Sequence, residues 1–440
     1  MKLAGHEWAD AAQQAARSFS RERRKLSSKT AIVIGAGIIG LATAYRLSEE
    51  GLAVTVIDRD PAGDKASFGN AGGIAVTEVL PVSVSGLAWK VPGWLLDPLG
   101  PLAVRPAHLP RLIPWLWRFA RAGRPSEVER IGQALAAFNR RVYDDLLPML
   151  RTIGCGGEIH RKGALTVYET EEGFKRDADE WAFKRKHGVE VQMLTDDQAR
   201  ALEPALGPIV VCGVLTPQWS HINDPKLLVD RLRAWLETKG GVTVVSAEVS
   251  RLQADNGHPS AVLRNGHLLS ADCAVIAAGA WSGALARTLG DRVLLESERG
   301  YNTTLPSPGV SLACEVIFAE RKFVATPLTI GLRIGGAAEF GGLDAKADYR
   351  RSEALVRLAS RYLPGLSGDG GIAWAGHRPA TPDSLPVIGP ATRFGNIFYA
   401  FGHGHLGLTQ AATTGKLIAD LVSGRPPPFD LKPYSMSRFN

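Results

Sequence analysis

Residues 35–40 read Gly35-Ala36-Gly37-Ile38-Ile39-Gly40, a complete GxGxxG set. It follows the apolar run Ala31-Ile32-Val33-Ile34 and opens a stretch with helical periodicity over 38–50. A second strand is expected over 53–58, Ala-Val-Thr-Val-Ile-Asp, which completes a βαβ unit of the right length for a parallel sheet. The first glycine permits a tight turn, the second lets a pyrophosphate approach the backbone, and the third lets the helix pack close to the strand. Backbone N–H groups and the helix dipole then favour phosphate at that end. Asp58 closes the second strand at the spacing of an acid that bonds ribose hydroxyls, and an acid there disfavours a 2′-phosphate. A dinucleotide site is expected, and NADP is not.

The rest of the chain limits the class further. Its 440 residues exceed one ordinary core and suggest two domains. The net charge of +7 draws heavily on a leader containing Arg17, Arg21, Arg23, Arg24, Lys25 and Lys29. No long basic run interleaved with aromatics follows, so nucleic acid is not an expected partner. Cys155, Cys212, Cys273 and Cys314 are scattered with no CxxC, which points away from a zinc site and a disulfide framework. No metal is expected. No apolar run is long enough to cross a bilayer, and residues 1–29 lack the pattern of a secretory signal. The expected location is cytoplasmic, with peripheral contact at the inner face of the membrane as an option. That option comes from residues 87–119, where Trp89, Trp94, Trp115 and Trp117 alternate with prolines around an apolar tip at 112–117. The prolines there argue against one long helix, and a packed lid is the plainer reading.

After Asp58 the chain does not repeat βαβ units as a nicotinamide enzyme would. It runs into Lys65-Ala66-Ser67-Phe68-Gly69-Asn70-Ala71-Gly72-Gly73, a small-residue loop suited to passage under a flat ring system. A buried strand at 274–278 opens into Gly279-Ala280-Trp281. The segment Gly402-His403-Gly404-His405-Leu406-Gly407 leads at once into a helix over 409–423. Helices are also expected over 132–150, after the capping box Thr195-x-x-Gln198, and from Asp224-Pro225 to Glu237. Strand is expected over 242–252 and within 315–335, and a helix over 346–363.

These motifs, with Pro101-Leu102-Ala103-Val104-Arg105, Arg299-Gly300-Tyr301, Gly376-x-Arg378-Pro379-x-Thr381-Pro382-Asp383 and Pro386-x-Ile388-Gly389, resemble the D-amino-acid dehydrogenase branch of the glycine oxidase/D-amino-acid oxidase flavoproteins over residues 30–425. The resemblance implies an α/β chain: a Rossmann-like FAD-binding domain with a discontinuous α+β substrate-binding domain on a mixed or antiparallel sheet. The expected division is a polar extension at 1–29, the FAD domain at 30–86, 200–290 and 370–425, the substrate domain at 87–199 and 291–369, and a tail at 426–440. It also implies non-covalent FAD, since the 67–73 loop holds no His or Cys. The expected cofactor set starts with Gly35, Gly37, Ile38, Ile39, Gly40, Asp58 and Arg59. The small-residue loop adds Ser67, Asn70, Ala71, Gly72 and Gly73. Val249, Ala278, Gly279, Trp281 and Gly376 come next, and the C-terminal segment supplies Gly402, His403, Gly404, His405, Leu406, Gly407, Leu408 and Thr409.

The activity implied is oxidative deamination of D-amino acids by hydride transfer from the α-carbon to flavin N5. The imino acid so formed hydrolyses to a 2-oxo acid and ammonia. Cyclic or secondary amino acids such as D-proline, D-hydroxyproline, sarcosine or glycine form the alternative substrate class, with a dehydrogenase or an oxidase acting on them. Arg378 is the expected carboxylate clamp, because a guanidinium fork matches a carboxylate. Tyr301 and His405 are the other catalytic candidates. The electron acceptor expected of a dehydrogenase is a quinone, an electron-transfer partner or an artificial dye. Two other classes stay open: an FAD-binding module without catalysis, and a 2-hydroxy-acid dehydrogenase with His405 as base.

Overall fold

The computed structural model describes residues 29–83, 100–255 and 257–439. Trp89, Trp94 and nearly all of the leader lie outside that set. The βαβ unit forms as its sequence dictates. Strand β1 (Thr30–Ile34) and strand β2 (Ala53–Asp58) pair in parallel, with helix α1 (Ile38–Glu49) between them. The alternation Ala-Val-Thr-Val-Ile-Asp in β2 buries Val54, Val56 and Ile57. Segments Thr243–Ser246, Cys273–Ile276 and Ile397–Phe401 extend the parallel sheet, and Val387–Pro390 closes it antiparallel. The C-terminal helix α2 (Gly407–Val422) lies against α1, so the two ends of the chain share one layer and one core.

The second body is a nine-stranded mixed sheet. Its outer half is a run of long antiparallel strands: β3 (Glu296–Leu305), β4 (Gly331–Phe340) and β5 (Ile372–Ala380), with β3 in the middle. Phe323–Leu328, Glu315–Phe318, Ala164–Tyr168, Cys212–Thr216 and Gln192–Thr195 continue it, and Leu102–Val104 pairs with β4 in parallel. The overall class is the expected one, a Rossmann-like α/β layer beside a mixed-sheet α+β body. Cys212–Thr216 and β5, which fall in the segments 200–290 and 370–425 assigned to the FAD domain, hydrogen-bond into the larger sheet.

Local expectations fare unevenly, for identifiable reasons. Thr195 forms the full capping box with Gln198, and Asp224 accepts from Lys226 N and Leu227 N at the start of Pro225–Thr238. The 132–150 periodicity covers two helices, Pro125–Asn139 and Val142–Thr152, broken at Arg140-Arg141. Residues 242–252 span two strands, Thr243–Ser246 and Val249–Asp255, and the 346–363 helix shortens to Arg350–Ala359. In the Trp/Pro segment a 14-residue helix, Leu109–Ala122, runs straight through Pro114. Packing compensates for the lost backbone bond. Leu112 and Trp115 are buried against Phe340 and Ala380, and Trp115 Nε1 donates to Ala380 O at 3.1 Å. Ile113 and Trp117 face outward. No described helix is long and apolar enough to cross a membrane.

Candidate active site

A cavity of about 1860 Å³ runs between the two bodies. Of the residues singled out in the sequence as cofactor or catalytic candidates, all but Gly40, Gly72 and Thr409 border it. Those three work behind the wall. A Cβ on Gly40 would stand 1.8 Å from Gly35 O, so glycine is required for α1 to approach the turn. Gly72 has φ +98°, and Thr409 Oγ1 accepts from Ala75 N at 2.9 Å, tying the start of α2 to the small-residue loop.

At the dinucleotide end, Gly35 adopts φ +112° with its α-carbon pressed against Ala277, where a Cβ would meet Ala277 O at 2.4 Å. Asp58 Oδ2 accepts from Ala36 N at 2.7 Å, and its other oxygen accepts from Asp60 N at 2.8 Å, with Lys65 Nζ 3.3 Å away. The acid is therefore anchored at the rim, where a ribose would reach it. Ser67 Oγ accepts from Ile38 N at 3.0 Å, which joins the loop to the head of α1. Arg59 lies over the ring of Trp281 at 4.2 Å, and Trp281 meets His377 edge-on. This cradle of backbone, small side chains and one acid fits an adenine dinucleotide.

The 65–73 loop has no strand pairing before Gly73, and the larger sheet holds it. Asn302 Nδ2 donates to Gly69 O at 2.7 Å, and the buried Arg333 donates from Nη1 to Asn70 O at 2.5 Å and to Phe68 O at 3.3 Å. Loop carbonyls are thereby tied to β3 and β4. Nothing in the sequence marked Asn302 or Arg333, because their partners lie more than 230 residues away.

Arg378 and Tyr301 come from neighbouring strands. Register pairs Glu298 of β3 with Arg378 of β5, and both side chains border the cavity. The guanidinium lies flat over Gly300, where a Cβ would stand 2.5 Å from its central carbon. This explains the glycine of Arg299-Gly300-Tyr301. Arg378 Nη1 donates to Glu298 Oε1 at 2.8 Å. Tyr301 is buried, its hydroxyl donating to Glu339 and accepting from Asp348 N at 3.1 Å. Arg105, from the Pro101–Arg105 motif, pairs with the same Glu339 at 2.5 Å. The phenol is thus committed to a buried network at the cavity wall.

The Gly402–Gly407 segment separates its two histidines. His403 turns inward, with Nε2 2.9 Å from Thr414 Oγ1 of α2, and burial pushes its pKa down to about 3. Its Nε2 is tied to α2. His405 opens onto the cavity; enclosure lowers its pKa, while Glu78 and Glu298 oppose that shift. Beyond it the cavity holds a charged end that the sequence did not announce. Lys184 pairs with Glu78 at 2.7 Å and keeps that carboxyl ionised against its burial. Glu315 accepts from Trp219 Nε1 at 3.1 Å, and burial pushes its pKa up to about 8.

The sign of that last shift gives a stability test. Between the ordinary carboxylate range and about 8, the folded chain holds a proton on Glu315 that the unfolded chain releases. Glu315 therefore costs stability progressively as pH rises through that window. Glu315→Gln, neutral at every pH, should raise Tm relative to the parent near about pH 8.5 and leave it unchanged near about pH 4.5, a difference on the order of a few kcal/mol. Thermal unfolding at both pH values checks this, and equal offsets would show that Glu315 is ionised when folded.

Among the described residues no group of His, Cys, Asp and Glu is arranged to hold a metal ion. The DAO family of FAD-dependent oxidoreductases matches residues 30–421. A D-amino-acid oxidase of Bradyrhizobium diazoefficiens is 36% identical over 418 residues, 92% of this chain and 98% of that protein. A D-amino acid dehydrogenase of Methylobacterium radiotolerans is 33% identical over 420 residues, 93% and 99% of the two chains. The glycine oxidase of Geobacillus kaustophilus superposes with a TM-score of 0.70 at 22% identity, covering 93% of this chain and 99% of that one, a likeness of fold. The match begins at β1 and spans the fingerprint, the small-residue loop, the Arg378 strand and the glycine segment before α2: the chain belongs to the DAO family of FAD-dependent oxidoreductases.

Proposed function

We propose that this protein is a D-amino-acid dehydrogenase that oxidises its substrate at the α-carbon. The observation that carries the reading is the guanidinium of Arg378, seated over Gly300 at the wall of the FAD cavity. A planar fork at that place suits an α-carboxylate and fixes the carbon next to it. When bound, FAD supplies the two-electron acceptor for the hydride that leaves the α-carbon. Gly35, Gly37, Asp58, Ser67 and the backbone of 402–407 are the groups that would hold it, without a covalent link. The N-terminus of α2 offers positive potential at that segment. The imino acid is released and hydrolysed by water to a 2-oxo acid and ammonia.

Names carried by relatives at 36% and 33% identity, D-amino-acid oxidase and D-amino acid dehydrogenase, support the substrate class and divide on the acceptor. We assign electron delivery to a quinone-like or protein acceptor. The helix Leu109–Ala122 borders the cavity through Leu109, Trp115, Leu116 and Phe119 and turns Ile113 and Trp117 outward. The apolar side chains beside the cavity support that assignment.

Anaerobic bleaching of the yellow protein by a panel of D-, L- and N-substituted amino acids and 2-hydroxy acids tests the reading. D-amino acids should bleach it, and turnover should reduce a dye with little peroxide in air. Bleaching by 2-hydroxy acids or L-amino acids alone would overturn the substrate class, and stoichiometric peroxide would make the protein an oxidase.

A further inference from the structure

Arg378 does not face the cavity alone. Cross-strand register sets Glu298 directly beside it, both side chains reach the same space, and they meet at 2.8 Å. A guanidinium carries five N–H donors. Among the described residues Arg378 makes one hydrogen bond, from Nη1 to Glu298, so one edge of the fork is taken and the rest points elsewhere. Gly300 beneath it carries no side chain to push the guanidinium away, so the charge stays next to the carboxylate.

A ligand entering this site meets a cation and an anion side by side. A carboxylate on the remaining edge of the guanidinium brings its α-substituent close to Glu298, because that substituent is two bonds from the carboxylate carbon. Charge then decides what the substituent is. The Arg378–Glu298 pair is neutral as a unit, and an amino-acid zwitterion keeps the site neutral, carboxylate to guanidinium and ammonium to carboxylate. A 2-hydroxy acid or a simple carboxylic acid leaves one negative charge uncompensated beside Glu298 in an enclosed space, which is costly. We infer that Glu298 recognises the substrate's α-ammonium group, so that Arg378 and Glu298 together read a zwitterion and turn away the hydroxy acid of the same skeleton. This rests on the amino-acid reading above and adds the residue that enforces it. The bound ammonium gives up one N–H proton before the α-carbon loses hydride, and Glu298, the carboxylate of the pair, receives it. The nitrogen keeps the electron pair that then forms the C=N bond.

The test separates amine recognition from mere support of Arg378. The FAD-loaded protein is reduced with dithionite under anaerobic conditions, so that binding is measured without turnover. Calorimetric titrations use D-alanine, or the D-amino acid that bleaches fastest, and its des-amino counterpart, propanoate for D-alanine. In Glu298→Gln the amino acid should bind roughly 30-fold more weakly, while propanoate binds as tightly as before or tighter. Glu298→Met should show the same split, and the isosteric Gln variant decides alone if the Met variant fails to retain FAD. Equal weakening of both ligands would reduce Glu298 to a prop for Arg378 and overturn the inference, as would no change in either. A parent protein that binds propanoate but no amino acid of the panel overturns the functional reading itself, whereas amino-acid binding without the split sinks this inference alone.

Discussion

Arg378→Met should lower kcat/KM for the preferred amino acid by about 10³-fold and leave the FAD content of the purified protein unchanged. Two losses combine in that figure. The substrate carboxylate loses a charge-assisted, fork-shaped partner, and Glu298 is left as an unpaired carboxylate facing the same space. Truncating one member of an enclosed charge pair costs on the order of 2–5 kcal/mol, and every 1.4 kcal/mol is tenfold. The loss should fall mainly on KM. Part of it should reach kcat, because a substrate held by one end no longer fixes its α-carbon. Arg378→Lys keeps the charge but not the planar fork, so it should recover only part of the activity. Arg378 borders the cavity from β5, apart from the fingerprint and the rim acid, so the variant should stay yellow. Steady-state dye reduction with flavin absorbance as the control decides the matter: an unchanged KM in a yellow variant removes the clamp.

The contrast between Arg378 and Glu298 shows what the sequence made legible and what it did not. Arg378 stands in a run of Gly, Pro, Thr and Asp whose spacing is itself a signal. Glu298 carries no local signal. It becomes part of a site only because β3 and β5 pair in a register that joins residues 80 apart. The same is true of Asn302 and Arg333, which hold the small-residue loop from the far sheet, and of Glu78, Lys184 and Glu315 at the charged end. Backbone-driven features were readable for the opposite reason. A glycine fingerprint, an Asp-Pro cap or a capping box acts within a few residues of itself, so the chain states it locally. The placement of β5 fell between these cases. Its sequence runs on toward the glycine segment that serves FAD, and its last residue, Ala380, bridges to His403 there, yet its ladder runs along β3. The helix through Pro114 shows tertiary packing overriding a local rule: Trp115 and Leu112 anchor it where propensity alone would have broken it.

Gly40→Ala should yield a nearly colourless protein, with FAD affinity reduced by at least about 10²-fold, or roughly 3 kcal/mol. The single added carbon would lie 1.8 Å from Gly35 O and 3.5 Å from Ala277 Cβ, a backbone clash that no rotamer relieves. Either α1 retreats or the 35–37 turn opens. Retreat is blocked from the other side, since α1 is packed on α2 so closely that a Cβ on Gly415 would sit 2.5 Å from Ala42 O. The strain therefore goes into the turn whose backbone approaches the pyrophosphate, and the cofactor registers it. Overpacking of this kind also costs about 1–3 kcal/mol of stability, sometimes more, so Tm should fall as well. Gly37→Ala is the control that separates the two effects. Gly37 has φ −74°, and its added carbon would meet only Ser67 Oγ, at 3.5 Å, an ordinary contact. The fold should accept that change and keep its apo Tm, while FAD binding weakens because the new methyl stands at the phosphate approach. Flavin-to-protein absorbance ratios and apo Tm values for both variants test the pair. A fully yellow Gly40→Ala protein with the parent's Tm would mean that the helix and turn are not locked together as the geometry requires.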